Sequence, residues 1–111
     1  MVKYLKVTIS GTPYLIPATN ILGVEVGADT KNKILSVIRG YEATGASEVL
    51  GYEITATGAS DATKTVEQLN AFVGELEQAL QTSWTNPFYN LDGKLPYAPT
   101  AVEQIEVEWS A

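Results

Sequence analysis

The sequence predicts an α+β domain: an antiparallel or mixed β-sheet of about five to six strands packed on one long amphipathic helix. Three observations predict it. Short apolar–polar alternations recur before residue 57, apolar residues take helical spacing between residues 61 and 83, and a last alternating run follows. With 111 residues, the chain fits a single α+β domain over 1–111. Its 45% hydrophobic and 18% charged content is that of an ordinary globular core rather than a disordered chain.

The elements follow in order. Leu5, Val7 and Ile9 alternate with Tyr4, Lys6 and Thr8, the period-two signature of a half-buried strand. Ser10-Gly11-Thr12-Pro13 punctuates it, Tyr14-Leu15-Ile16 resumes, and Pro17 stops the resumption. Leu22, Val24 and Val26 alternate with Gly23 and Glu25, and Gly27 to Asn32 reads as a polar hairpin loop. Ile34 to Ile38 is nearly continuous in apolar residues, as in a strand with neighbours on both sides. Leu50, Tyr52, Ile54 and Ala56 form a further alternating set.

Gly40-Tyr41-Glu42 recurs as Gly51-Tyr52-Glu53, and Ala43 to Ser47 recurs as Ala56 to Ser60. The offsets are 11 and 13, so a clean structural repeat is not expected. Local duplication and coincidence both account for it. Residues 40–48 are expected to be mobile.

The helix is the clearest element. Ser60, Asp61, Thr63 and Thr65 all offer N-cap oxygens, and Thr65-Val66-Glu67-Gln68 fits a capping box. The start is therefore expected within 61–65, and Asn86-Pro87 sets the end near Ser83. Val66, Leu69, Val73, Leu76 and Leu80 make the expected buried stripe, widened by Phe72 and Ala79 on one side. Glu67, Gln68, Glu75, Gln78 and Gln81 make the expected solvent face, with Gly74 on the back.

Residues 84–99 interleave Trp84, Phe88, Tyr89 and Tyr97 with Pro87, Pro96 and Pro99. Asp92-Gly93 matches a type I′ hairpin turn with arms at 88–91 and 94–97. Ile105, Val107 and Trp109 alternate with Gln104, Glu106 and Glu108 as a closing strand. Its acidic face would complement the Tyr4-Lys6-Thr8 face if the first and last strands paired antiparallel.

Composition excludes whole classes of chemistry within the chain. Without Cys there is no disulfide, zinc ribbon or thiol nucleophile. Without His there is no imidazole base or ligand. The nucleotide-binding and nucleophile-elbow motifs are absent. Glu75 and Glu77 diverge by about 200° around a helix and cannot chelate one ion. Glu103, Glu106 and Glu108 read as solvated charge rather than a calcium site. The expectation is no enzyme, with no catalytic residue, no cofactor and no metal.

The net charge is −6, unevenly spread. Residues 1–39 carry five cations and two carboxylates, a net of +3; residues 40–111 carry two cations and eleven carboxylates, a net of −9. Scattered cations on an acidic chain point away from nucleic acid. No apolar run spans a bilayer, and Met1 to Lys6 lacks the apolar region of a signal peptide, so a cytoplasmic protein, or part of something assembled in a cytoplasm, is expected. The charge asymmetry reads either as facing strands or as steering between neighbouring copies.

The expected partner is a protein, or a second copy of the chain in a homo-oligomer. Trp84, Phe88, Tyr89 and Tyr97 are the candidate partner contacts, since aromatics supply contact area and Pro lowers the entropy lost on docking. Trp84 and Phe88 also read as residues closing the core. A second reading is a small peptide- or ligand-binding module using the open sheet face, with a pocket lined by Tyr4, Tyr14 or Tyr52.

The run Ala79 to Asn86, followed by Tyr89 and by Leu95-Pro96-Tyr97-Ala98, resembles a class of short uncharacterised proteins of marine phages, cyanophages especially. Tyr4-Leu5-Lys6-Val7 followed by Gly11 is similar too. About half the chain takes part, and Gly40 to Ser60 is longer than in that pattern. The resemblance implies a viral or marine microbial origin and no established activity. Beside it, the first functional expectation is a non-enzymatic structural or assembly protein, such as an accessory phage subunit, in the host-cell cytoplasm or associated with the virion. Residues 3–26 are also similar to small β-rich flagellar regulators, a likeness that carries no site residues.

Overall fold

The structure, a computed structural model, describes residues 3–19, 21–27, 32–38, 48–82 and 87–108. Among them lie seven strands and one helix: β1 (Tyr4–Ile9), β2 (Thr12–Pro17), β3 (Ile21–Val26), β4 (Lys33–Ile38), β5 (Glu48–Thr55), α1 (Ala62–Gln81), β6 (Phe88–Asn90) and β7 (Ala101–Glu108). The α+β class is as expected. The single sheet of five to six strands is not: the strands divide into a three-stranded sheet, order β2-β1-β6, and a four-stranded sheet, order β3-β4-β5-β7.

Two prolines help to explain the division. β1 and β2 form a tight antiparallel hairpin, with Ser10 (φ 51°) and Gly11 (φ 82°) in the left-handed region. Pro13 and Pro17 remove ladder donors from β2, which leaves it suited to an edge. β1 takes its second neighbour from far along the chain, pairing parallel with β6 through Tyr4↔Phe88, Leu5↔Tyr89 and Lys6↔Asn90. The expected partnership of the first and last strands is therefore corrected. β7 pairs antiparallel with β5 at the edge of the other sheet, so it is no neighbour of β1. In the second sheet β4 lies between β3 and β5, and Ile34, Leu35 and Ser36 are all buried.

The helix begins at Asp61, whose carboxylate accepts the Lys64 N–H at 2.8 Å. The capping box expected at Thr65 does not form. The buried face of α1 is Thr65, Gln68, Phe72, Leu76 and Ala79, one position round from the expected stripe, and it leaves Val66 45% and Leu80 39% exposed. Phe72, Leu76 and Ala79 join Leu5, Val7, Ile16, Ile34, Ile54 and Leu91 in one core between the two sheets and the helix. The hydroxyl of Thr65 accepts the Asn32 N–H at 2.9 Å and donates to the Asp61 carbonyl at 2.8 Å, fixing the entrance to β4 against the first helical turn. At the other end Lys3, buried, donates from Nζ to the hydroxyl of Thr82, which itself donates to the Ala79 carbonyl at 2.8 Å. The last turn of α1 has no basic residue of its own, so Lys3 places positive charge at its negative end.

Of residues 40–48, expected to be mobile, 40–47 lie outside the described residues, as do Trp84 and Trp109, while Glu48 opens β5. No helix among the described residues is long and apolar enough to cross a membrane.

Candidate functional site

The segment 87–100 carries most of the sequence-predicted contacts, and its conformation is set by α1 and β1. The expected Asp92-Gly93 hairpin does not exist. Residues 94–97 form no strand, and residues 88–90 pair with β1 instead. A type I′ turn needs two left-handed residues, and here only Gly93 has positive φ, at 77°. The turn is closed by the Lys94 N–H donating to the Leu91 carbonyl at 3.0 Å. Asp92 turns its carboxylate to the Thr8 N–H, 2.8 Å away, past the end of the β1–β6 ladder. That backbone hydrogen bond, then the Thr8 hydroxyl and the nearby charge of Lys6, hold Asp92 below the ordinary aspartate range.

Beyond the turn the chain is clamped to one flank of α1. Gln68 Nε2 donates to the Tyr97 carbonyl at 2.8 Å, and the Tyr97 N–H donates to Gln68 Oε1 at 3.1 Å. The Tyr97 hydroxyl donates to Glu67 at 2.7 Å, and the Tyr89 hydroxyl to Glu75 at 2.8 Å. Both phenols are raised above the ordinary tyrosine value: Tyr89 by burial and then by Glu75, Tyr97 by Glu67 and then by burial. Lys94 Nζ stands 4.2 Å from the centre of the Tyr89 ring. The Tyr97 ring lies against Gly58, where an added Cβ would come within 3.2 Å of it.

Phe88 takes the opposite side of its strand. It is 47% exposed on the outer face of the three-stranded sheet and stacks on Tyr4 with ring centroids 6.3 Å apart. The register sets Pro17, Tyr4 and Phe88 in one row across β2, β1 and β6. Leu15, 43% exposed, stands in the next row with Lys6 and Asn90. This face places aromatic and aliphatic area around Lys6.

A cavity of about 190 Å³ opens at the turn, lined by Thr8, Leu91, Asp92, Gly93, Leu95, Ala98 and Pro99. It is smaller than the ~300–1,000 Å³ usual for an organic ligand. No group of three or more carboxylates gathers as a metal site among the described residues.

The structure thus separates the predicted contacts. Phe88 faces solvent, while Tyr89 and Tyr97 are half-buried and tied to helix glutamates. Tyr4, Tyr14 and Tyr52 do not converge on one pocket. Tyr4 and Tyr14 fall on opposite faces of the first sheet, and Tyr52 bonds Gln104 in the second at 3.3 Å. Sequence reasoning missed Leu15 and the helix residues Glu67, Gln68 and Glu75. Leu15 was legible as the outward residue of a strand whose Ile16 faces inward, given the register with β1. No family model, curated protein or solved structure matches the chain.

Proposed function

We propose that the chain is a non-enzymatic assembly subunit, of the kind an accessory phage protein provides, and that it works by protein–protein contact through the outer face of the three-stranded sheet. One observation carries this reading: the Pro17–Tyr4–Phe88 row with Leu15 beside it, an apolar surface whose two largest aliphatic and aromatic members are nearly half exposed. Contiguous apolar area of this kind marks interaction surfaces. The reactive inventory supports the same reading. The chain has no His or Cys, and two of the three glutamates of α1 are spent on tyrosine hydroxyls.

Light scattering across a range of protein concentrations tests it. The mass of the wild type is expected to rise beyond that of a dimer, and Leu15→Glu, which puts a charge into the row beside Tyr4, is expected to lower it. A wild-type mass that never exceeds a dimer, or one indifferent to Leu15→Glu, counts against the reading.

A further inference from the structure

The helix has two flanks, and among the described residues the 87–100 segment covers one of them. Glu67, Gln68 and Glu75 meet the 87–100 segment. The other flank, about 120° round from the buried face at 100° per residue, carries Val66, Asn70, Val73, Glu77 and Leu80. Val66 and Leu80 are 45% and 39% exposed, Asn70 and Glu77 are exposed, and Val73 is half-buried. Neither Asn70 nor Glu77 has a partner among the described residues. Beside Val73, Gly74 has open space, with nothing within 4 Å of where its Cβ would stand.

This ridge reads nearly the same in both directions about Val73–Gly74. Val66 lies seven positions before Val73 and Leu80 seven after; Asn70 lies three before and Glu77 four after. From that symmetry we infer that the occupant of the ridge is the same ridge of a second copy, crossing antiparallel about a two-fold axis beside Val73 and Gly74. A two-fold operation sets Val66 against Leu80 of the second copy, Val73 against Val73, and each Asn70 amide against a Glu77 carboxylate. Both unpartnered polar side chains then gain a partner of the right kind, the amide N–H donating to the carboxylate. A foreign apolar helix would cover the valines but would have no reason to match the Asn–Glu alternation. This names the first step of the proposed assembly and rests on that reading only in its biological meaning, since it uses a different surface.

Sedimentation equilibrium on the full chain tests it with charge variants at exposed positions, circular dichroism showing that each is folded. Asn70→Lys faces Glu77 of the second copy and is expected to move the monomer–dimer midpoint to lower concentration by about tenfold or less. Asn70→Glu faces the same carboxylate and is expected to move it the other way, and Val73→Glu is expected to leave a monomer in the Leu15→Glu background, where the sheet face no longer contributes. Because the chain has no Cys, Val73→Cys gives a clean crosslinking probe, expected to oxidise to a covalent dimer faster than Thr57→Cys, an exposed control. Val73→Cys crosslinking no faster than the control, with self-association indifferent to the charge at residue 70, overturns the helix dimer. If Leu15→Glu still disperses the assembly in that case, the reading of the sheet face stands alone. If the wild type stops at a dimer that Val73→Glu dissociates and Leu15→Glu does not touch, the helix contact stands and the sheet reading falls.

Discussion

Gln68 grips the main chain of Tyr97 at both of its polar groups, accepting from the N–H and donating to the carbonyl. A glutamine side chain thereby does for an irregular segment what a neighbouring strand does for β6. Gln68 is 2% exposed, so water does not replace it. Gln68→Leu leaves two backbone groups of Tyr97 short of a partner, at about 1–3 kcal/mol for each that stays buried. Urea unfolding is expected to show that loss. Gln68→Glu keeps the acceptor but aims a carboxylate at the Tyr97 carbonyl, so its deficit is expected to shrink when the pH is lowered and the acid protonates.

Ser36 is fully buried in β4, and its hydroxyl has no hydrogen-bond partner among the described residues. A buried hydroxyl without a partner carries a desolvation cost that folding does not return. Ser36→Ala is expected to stabilise the chain by up to about 1 kcal/mol, read as a rise of up to roughly 6 °C in melting temperature.

Two glycines respond oppositely to the same substitution. A Cβ on Gly27 would sit 2.8 Å from the Lys33 Cβ and 3.3 Å from the Lys33 carbonyl oxygen, at the mouth of the β3–β4 hairpin. Gly27→Ala therefore forces the strands apart and is expected to cost about 1–3 kcal/mol. Gly74 is helical and meets nothing, so Gly74→Ala is expected to gain about 0.5–1 kcal/mol. Thermal melts at low protein concentration, where self-association does not contribute, compare them.

Asp92 predicts an acid-sensitive contribution. Its folded-state pKa lies below the unfolded value, so the folded state binds fewer protons, and the stability it adds is present above about pH 4. That stability is lost as the pH falls from the ordinary aspartate value through the lower folded one. In Asp92→Asn the side chain keeps its acceptor oxygen for the Thr8 N–H, and the variant is expected to lack this part of the acid slope. Denaturant midpoints measured between pH 2 and 6 provide the comparison.

At the alkaline end the sign reverses. Tyr89 and Tyr97 are raised, so the stability tied to their protonated forms is complete below about pH 10 and disappears as the pH rises through their folded values. Absorbance titration near 295 nm is expected to show phenols that ionise late. Glu75→Gln is expected to bring Tyr89 forward while leaving Tyr97 late.

Most elements were legible because alternation and helical spacing are local signals. The helix shows where such signals mislead. Two polar residues, Thr65 and Gln68, occupy its buried face because they anchor Asn32 and Tyr97, so an apolar pattern selects their neighbours Val66 and Leu69. Phe72 and Ala79 marked the true centre of that face, and the stripe was widened toward them rather than moved. Sheet membership was not legible, since β6 is only three residues long and finds β1 through Leu5↔Tyr89 and its neighbours rather than through a turn. The Asp92-Gly93 signal was read locally as a hairpin, and the Thr8 N–H, remote in sequence, claimed the Asp92 carboxylate instead. Of the candidate contacts, residue type identified the aromatics, but only the register with β1 decides that Phe88 looks outward and Tyr89 inward.

The parallel pairing of Tyr4 with Phe88 joins residues 84 positions apart, which bears on how the chain emerges from the ribosome. The β1–β2 hairpin is translated before β6, so one side of β1 lacks this companion until residues 88–90 have been made. Throughout that interval a strand of alternating Leu5, Val7 and Ile9 offers an open ladder to any nascent neighbour. Polypeptides halted before residue 88 should therefore clump, whereas those that include it should refold slowly, at a pace set by closure of this long loop.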